Sequence, residues 1–109
     1  MKKKIAILIS GRGSNMQALI EAARRPDYPA EIVRIIANRP DAGGLQRAVA
    51  AGIATETIDH KAYQGREKFE AALQASLKAC GAEIVCLAGF MRLLTAGFVN
   101  ETLRPNGFE

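Results

Sequence analysis

Lys4-Ile5-Ala6-Ile7-Leu8-Ile9-Ser10-Gly11-Arg12-Gly13-Ser14-Asn15-Met16-Gln17 is the stretch that decides how this chain is read. Ile5 to Ile9 run apolar without a charge, the pattern of a strand buried on both faces, as in a parallel sheet covered by helices. Ser10, Gly11, Arg12 and Gly13 break the run, and Met16, Leu19, Ile20 and Ala23 then recur at helical spacing. A strand, a Gly-rich turn and a helix start, in that order, make a natural anion site. The first N–H groups of a helix lack intrahelical partners, and its dipole favours negative charge there. The same residues also suit a plain tight turn in which Ser14 or Asn15 caps the helix. Local sequence leaves both readings open.

Working outward, a helical pattern over Asn15–Arg25 is stopped by Pro26-Asp27-Tyr28-Pro29. Glu31–Asn38 is a second β-branched run, ended by Arg39-Pro40-Asp41. Gly43–Ala51 reads as a second helix with Gly52 placed to terminate it. Ile53–Ile58 is a weaker third strand suited to a sheet edge. Gly65–Cys80 is the clearest amphipathic helix, with Phe69, Ala72, Leu73, Leu77 and Cys80 on one face and Gly81 at its end. Ala82–Ala88 is a fourth strand, expected to be buried, Gly89 to Arg92 a loop, and Leu93–Leu103 can begin another helix. Strands alternating with helices predict an α/β fold, a doubly wound, mostly parallel sheet. In the order 3-2-1-4 the winding reverses between strands one and four, and ligands sit beyond the strand C-termini at such a reversal. That places the Ser10–Asn15 turn beside the Gly89–Leu94 loop.

The 109 residues suit one domain with a core of its own. With 49% hydrophobic and 24% charged residues, composition is that of an ordinary globular chain. Lys2, Lys3 and Lys4 supply most of the +4 net charge, and no basic stripe interleaved with aromatics follows, which disfavours nucleic acid as a partner. No run reaches the ~18 apolar residues of a membrane span, and the short Ile5–Ile9 stretch is no secretory leader. Cys80 and Cys86, with His60 remote from both, give no metal-ligand spacing. They are expected as two buried free thiols in a reducing, cytoplasmic setting.

Two familiar Gly-rich loops do not fit. Met16 stands where the third glycine of a dinucleotide fingerprint belongs, and the second strand ends in Asn38-Arg39 rather than a ribose-binding acid. No Lys-Ser/Thr pair follows the glycines, which excludes a P-loop.

Four segments together carry a resemblance: Ile9–Ala18 (ISGRGSNMQA), Ala37–Ala42 (ANRPDA), Ala51-Gly52-Ile53, and Leu87–Leu94 (LAGFMRLL). From about Ile5 to Val99 the chain resembles the glycinamide ribonucleotide formyltransferase family, folate-dependent enzymes of purine synthesis. The resemblance implies transfer of a formyl group from 10-formyltetrahydrofolate to the amine of 5-phosphoribosylglycinamide. It implies that Gly13, Ser14 and Asn15 hold the substrate phosphate, with Met16 and Gln17 completing the turn into the helix. It assigns Met91, Arg92, Leu93 and Leu94 to the folate pterin pocket, largely through main-chain groups, and Arg66 to the folate tail. Read from the sequence alone, Arg66 is equally a solvent-exposed arginine at a helix start.

By the same resemblance, residues 1–99 form the nucleotide-binding half of the domain and 100–109 depart from the family pattern. The family's catalytic Asn-x-His has no counterpart here: two residues after Asn106 stands Phe108. The later catalytic aspartate is not matched either. No catalytic residue is therefore assigned, stand-alone turnover is expected to be poor or nil, and no metal is implied. The sole histidine, His60, is expected on a hydrophilic surface loop. Formyltetrahydrofolate hydrolase and methionyl-tRNA formyltransferase share the fold, and a non-catalytic phosphate-binding fragment is a further alternative. A sheet with an exposed edge and an uncovered apolar face is also expected to self-associate.

Overall fold

The computed structural model describes residues 3–88. Its elements run β1 (Lys3–Ile9), α1 (Ser14–Ala23), β2 (Ala30–Ala37), α2 (Gly44–Ala50), β3 (Thr55–Thr57), a 3-10 turn (His60–Ala62), α3 (Arg66–Ala79) and β4 (Ile84–Leu87). The described strands form one sheet in the order β3-β2-β1-β4, and every pairing is parallel. The doubly wound order expected from the sequence is the observed one, with element ends differing by a residue or two.

Alternation along β1 divides the core. Ile5, Ile7 and Ile9 join Met16, Ile20 and Ala48 in a cluster beneath α1 and α2. Ala6 and Leu8 face the other way, against Phe69, Leu73 and Leu77 of α3. Ala6 to Ile9 are fully buried, each large side chain contributing about 2 kcal/mol by leaving water. Because α1 and α2 cover one face and α3 the other, the winding reverses between β1 and β4, which pair directly from Ile5–Ile84 to Leu8–Leu87. This reversal puts the turn after β1 at the crevice position of a doubly wound sheet.

β2 departs from simple alternation. Its register against β1 slips between Ile5 and Ala6, so Ile5 pairs with Ile32 but Ala6 with Arg34. Val33 is the extra residue. The slip lets both Ile32 and Ile35 pack under α1 and α2 while Ile36 packs under α3, as a bulge does when it re-aims side chains.

Two expectations are corrected. β4 is not a strand buried throughout: Val85 is buried, Ile84 and Cys86 are half-buried, and Leu87 is 52% exposed. Among the described residues β4 is an outer strand of the sheet, and that position leaves its side chains partly uncovered. For the same reason Cys86 is a half-buried thiol, and Cys80, at the end of α3, is half-buried as well; both are free.

Candidate functional site

The turn between β1 and α1 is built from backbone. Gly13 occupies the position before the helix with φ 77° and ψ 29°, a left-handed conformation that favours glycine over any residue with a Cβ. Gly13, at the capping position, offers no side chain to α1, and Ser14 is its first helical residue. The capping reading of Ser14 and Asn15 is therefore not the one adopted; the positive φ at Gly13 sets the entry angle instead. The Gln17 N–H donates to the Gly13 carbonyl at 2.8 Å, so the N–H groups ahead of it have no carbonyl within the helix to bind. Ser14 and Asn15 are exposed beside them.

Met16 and Gln17 differ in kind from Ser14 and Asn15. The Met16 side chain is wholly buried in the α1–α2 cluster, and the Gln17 amide donates to the Glu21 carboxylate at 2.9 Å. Both contribute main chain, not side-chain chemistry, to the opening of the helix.

A second wall of the turn comes from α2. The Gly44 N–H donates to the Gly11 carbonyl at 2.9 Å. A Cβ placed on Gly13 would stand 3.0 Å from the Gly44 Cα and 3.0 Å from the Met16 Cε. One placed on Gly44 would stand 2.6 Å from the Ile9 Cδ1 and 3.2 Å from the Gly13 Cα. Gly44 received no role from the sequence, although the Gly43-Gly44 pair opening a helix was a visible signal.

A hollow opens at the C-terminal ends of β2 and β3. Arg39, Pro40, Asp41, Asp59, His60 and Lys61 line a cavity of about 460 Å³ there. Arg39 grips Asp41 through Nε to Oδ1 and Nη2 to Oδ2, both 3.0 Å. That hydrogen-bonded pairing raises the Arg39 pKa and holds the Asp41 carboxyl below its usual range. The Asp59 carboxylate accepts from the Lys61 N–H at 3.0 Å and so starts the 3-10 turn.

His60 is not the free loop residue expected. It is half-buried, its Nδ1 lies 3.0 Å from the Asn38 carbonyl, and its ring meets Phe69 edge-on at 6.4 Å. The hydrophilic neighbours Asp59 and Lys61 concealed this, since the apolar contact comes from α3. Asn38 itself is 2% exposed, with no donor to its Oδ1 among the described residues.

Arg66 is the exposed first residue of α3, following Gly65 at φ 94°. Met91, Arg92, Leu93 and Leu94 lie outside the described residues. Among the described residues no group of His, Cys, Asp or Glu is arranged to hold a metal ion, and no helix is long and apolar enough to cross a membrane.

The sequence pattern of the formyl transferase family matches residues 3–105. The chain is 49% identical over 102 residues to the trifunctional purine biosynthetic protein adenosine-3 of Drosophila melanogaster, covering 92% of this chain and 8% of that protein. Against the phosphoribosylglycinamide formyltransferase of Escherichia coli it is 41% identical over 97 residues, covering 89% of this chain and 46% of the other. The crystal structure of phosphoribosylglycinamide formyltransferase from Brucella melitensis superposes with a TM-score of 0.90 at 46% identity, covering 93% of this chain and 53% of that one. The chain thus spans about half the length of the single-function relatives it matches, and a small part of the trifunctional ones. Sequence pattern, identity and superposition all run across β1 to β4, and on that evidence the chain belongs to the formyl transferase family.

Proposed function

We propose that this chain is the ribonucleotide-holding part of a phosphoribosylglycinamide formyltransferase of purine biosynthesis. In that reaction the amine of 5-phosphoribosylglycinamide takes a formyl group from 10-formyltetrahydrofolate. The observation that carries the reading is the left-handed Gly13 at the capping position of α1, with Ser14 and Asn15 exposed, at the end of the central strand. Unpartnered N–H groups and the positive end of a helix dipole suit a phosphate monoester. A glycine rather than Ser14 or Asn15 at the capping position favours an anion over the plain-turn alternative.

In this reading Gly13, Ser14 and Asn15 hold the phosphate, through main-chain N–H groups and the Ser14 and Asn15 side chains. Met16 and Gln17 contribute only their backbone. Arg66 and Met91 to Leu94 are assigned to the folate, Arg66 through its charge toward the carboxylate end of that co-substrate. Residues 1–99 form the ribonucleotide-binding portion, working in the cytoplasm, where free Cys80 and Cys86 thiols persist. Neither His60 nor any other residue here is given the proton transfers that amine attack requires. Self-association through the β4 side, where Leu87 is exposed, belongs to the same reading; a strictly monomeric species in sedimentation at high concentration would refute it.

The direct test is titration of 5-phosphoribosylglycinamide into the wild-type chain and the Ser14→Ala and Asn15→Ala variants. Each variant is expected to bind about tenfold more weakly, the value of one charge-assisted hydrogen bond. Equal affinity in all three would remove the phosphate pocket. The hydrolase and tRNA-enzyme alternatives are less favoured, since the matched relatives and superposed structures carry the ribonucleotide enzyme's name.

A further inference from the structure

We infer that Gly44, at the start of α2, is a positioning residue for the phosphate turn: its missing side chain lets α2 brace Gly11 and Gly13 at the height where their helix can receive an anion. The inference rests on the reading of that turn as the phosphate site. It adds a residue on a different element, 31 positions away from Gly13 by the numbering, that touches no ligand itself.

Three contacts carry it. The Gly44 N–H donates to the Gly11 carbonyl at 2.9 Å, pulling the first half of the turn toward α2. A Cβ on either Gly13 or Gly44 would intrude on the other's Cα, at 3.0 and 3.2 Å respectively, so the two backbones meet with no room between them. Beneath Gly44 lies Ile9, whose Cδ1 would be only 2.6 Å from an added Cβ. Ile9 closes the floor and Gly13 the roof. Ile9 is fully buried in the close-packed core, so a methyl group at position 44 has one soft neighbour, the Ile9 terminal carbon, and one stiff neighbour, the turn backbone.

Hydrogen bonds to an anion depend steeply on donor position, and sites built from them need geometry held within about half an ångström. Lifting Gly13 by a few tenths of an ångström displaces the N–H groups that follow it. Gly44 therefore acts on the ligand solely through the turn. Gly43, by contrast, offers room: among the described residues a Cβ there meets only the Arg12 Cα, at an ordinary 3.6 Å.

The test uses the 15N-labelled 109-residue chain with ribose 5-phosphate as probe, reading affinity and the amide resonances of Gly13 to Gln17. Gly44→Ala is expected to shift those resonances before any ligand is added and to weaken binding about fivefold or more. Ile9→Val removes the Cδ1, so Ile9→Val/Gly44→Ala, compared with Ile9→Val, isolates the push on Gly13 from the conflict in the core. The weakening is expected to persist in that pair. Ile36→Val, a trim of the opposite core face, supplies a control for general loss of stability and is expected to keep wild-type affinity. Recovery of full affinity in the double variant, or an equal loss in Ile36→Val, would overturn the inference in favour of a packing role. So would turn resonances unmoved by Gly44→Ala, a readout that holds even if the wild type ignores the probe. Failure of the wild-type chain to bind, with those resonances shifted by Gly44→Ala, would overturn the phosphate reading and leave Gly44 as the brace of an unliganded turn.

Discussion

The Nδ1 of His60 lies 3.0 Å from the carbonyl oxygen of Asn38, joining the residue that follows β2 to the 3-10 turn that follows β3. A carbonyl can only accept, so Nδ1 carries the hydrogen and Nε2 bears the lone pair of the neutral ring. The Asn38 carbonyl also accepts the His60 backbone N–H at 3.2 Å, so one oxygen fixes both the ring and the chain of His60. The 3.5 Å approach of the Asn38 Nδ2 to the same ring nitrogen is then proximity rather than a bond.

That geometry predicts the Nδ1–H tautomer for neutral His60 by nitrogen NMR, and a predominance of the Nε2–H form would contradict it. His60→Ala should lower stability by ~1–2 kcal/mol, through the lost hydrogen bond and the edge-on contact with Phe69. Its effect on ribonucleotide affinity should stay within twofold. A larger loss of affinity would bring His60 into the binding site.

Gly11 and Gly13 stand two apart in one turn and should respond differently to the same substitution. Gly13→Ala forces an L side chain to φ 77° and against two atoms at 3.0 Å, at a cost of ~1–3 kcal/mol. Among the described residues Gly11 has nothing within 4 Å of an added Cβ, and its φ is not positive, so Gly11→Ala should change stability by less than ~0.5 kcal/mol. Urea denaturation of the two variants decides this, and equal losses would mean that the turn is not held as described.

The elements and the turn were legible in the sequence because both rest on short-range signals, and the sheet order followed from the strand–helix alternation. The uninterrupted Ile5–Ile9 run, the Pro26–Pro29 stop and the Gly52 and Gly81 helix ends each act within a few residues of where they occur. What could not be read depends on contacts between distant segments. Gly44 gains its role only where α2 crosses the turn, and His60 is half-buried only because Phe69 of α3 arrives beside it. Glu70 and Ser76 are buried on the inner side of α3, whereas the hydrophobic pattern named only its apolar residues. The single residue of slip at Val33 escaped notice because a β-branched run looks the same with or without a bulge.

Cys86 offers a pH test. Burial pushes its thiol above the usual cysteine range, so the folded state holds this proton more tightly than the unfolded chain does. The corresponding stability is present below the unfolded thiol's pKa and declines as pH rises through the folded one. Alkylation of folded Cys86 by iodoacetamide, followed by mass spectrometry, should accelerate at a higher pH than in the urea-unfolded chain. Coincident midpoints would show that β4 leaves this thiol in water.

One tie between β2, β3 and α3 is polar, and it yields the last prediction. Arg34 Nη1 donates to the Glu56 carboxylate at 3.1 Å and to the Ser76 hydroxyl at 2.9 Å, and the hydroxyl donates onward to the same carboxylate oxygen. The Arg34 side chain is 25% exposed and that of Glu56 40% exposed, so water screens the pair only in part. Such a triangle does more than an isolated surface pair, because Ser76 is buried and would otherwise lack a partner for its hydroxyl. It also adds a side-chain tie to a three-residue strand otherwise held by its ladder with β2 and by buried Ile58. Arg34→Met, Glu56→Gln and their combination should therefore show a coupling of about 1 kcal/mol in a double-mutant cycle. Ser76→Ala should cost a similar ~1 kcal/mol and reduce that coupling, since the hydroxyl is the bridge. Hydrogen exchange should then rise first at Ile58, whose N–H donates to the Ala37 carbonyl at 2.9 Å just beyond β3. Additive losses from Arg34→Met and Glu56→Gln, with Ile58 exchange unchanged, would show that β3 is held by its backbone ladder alone.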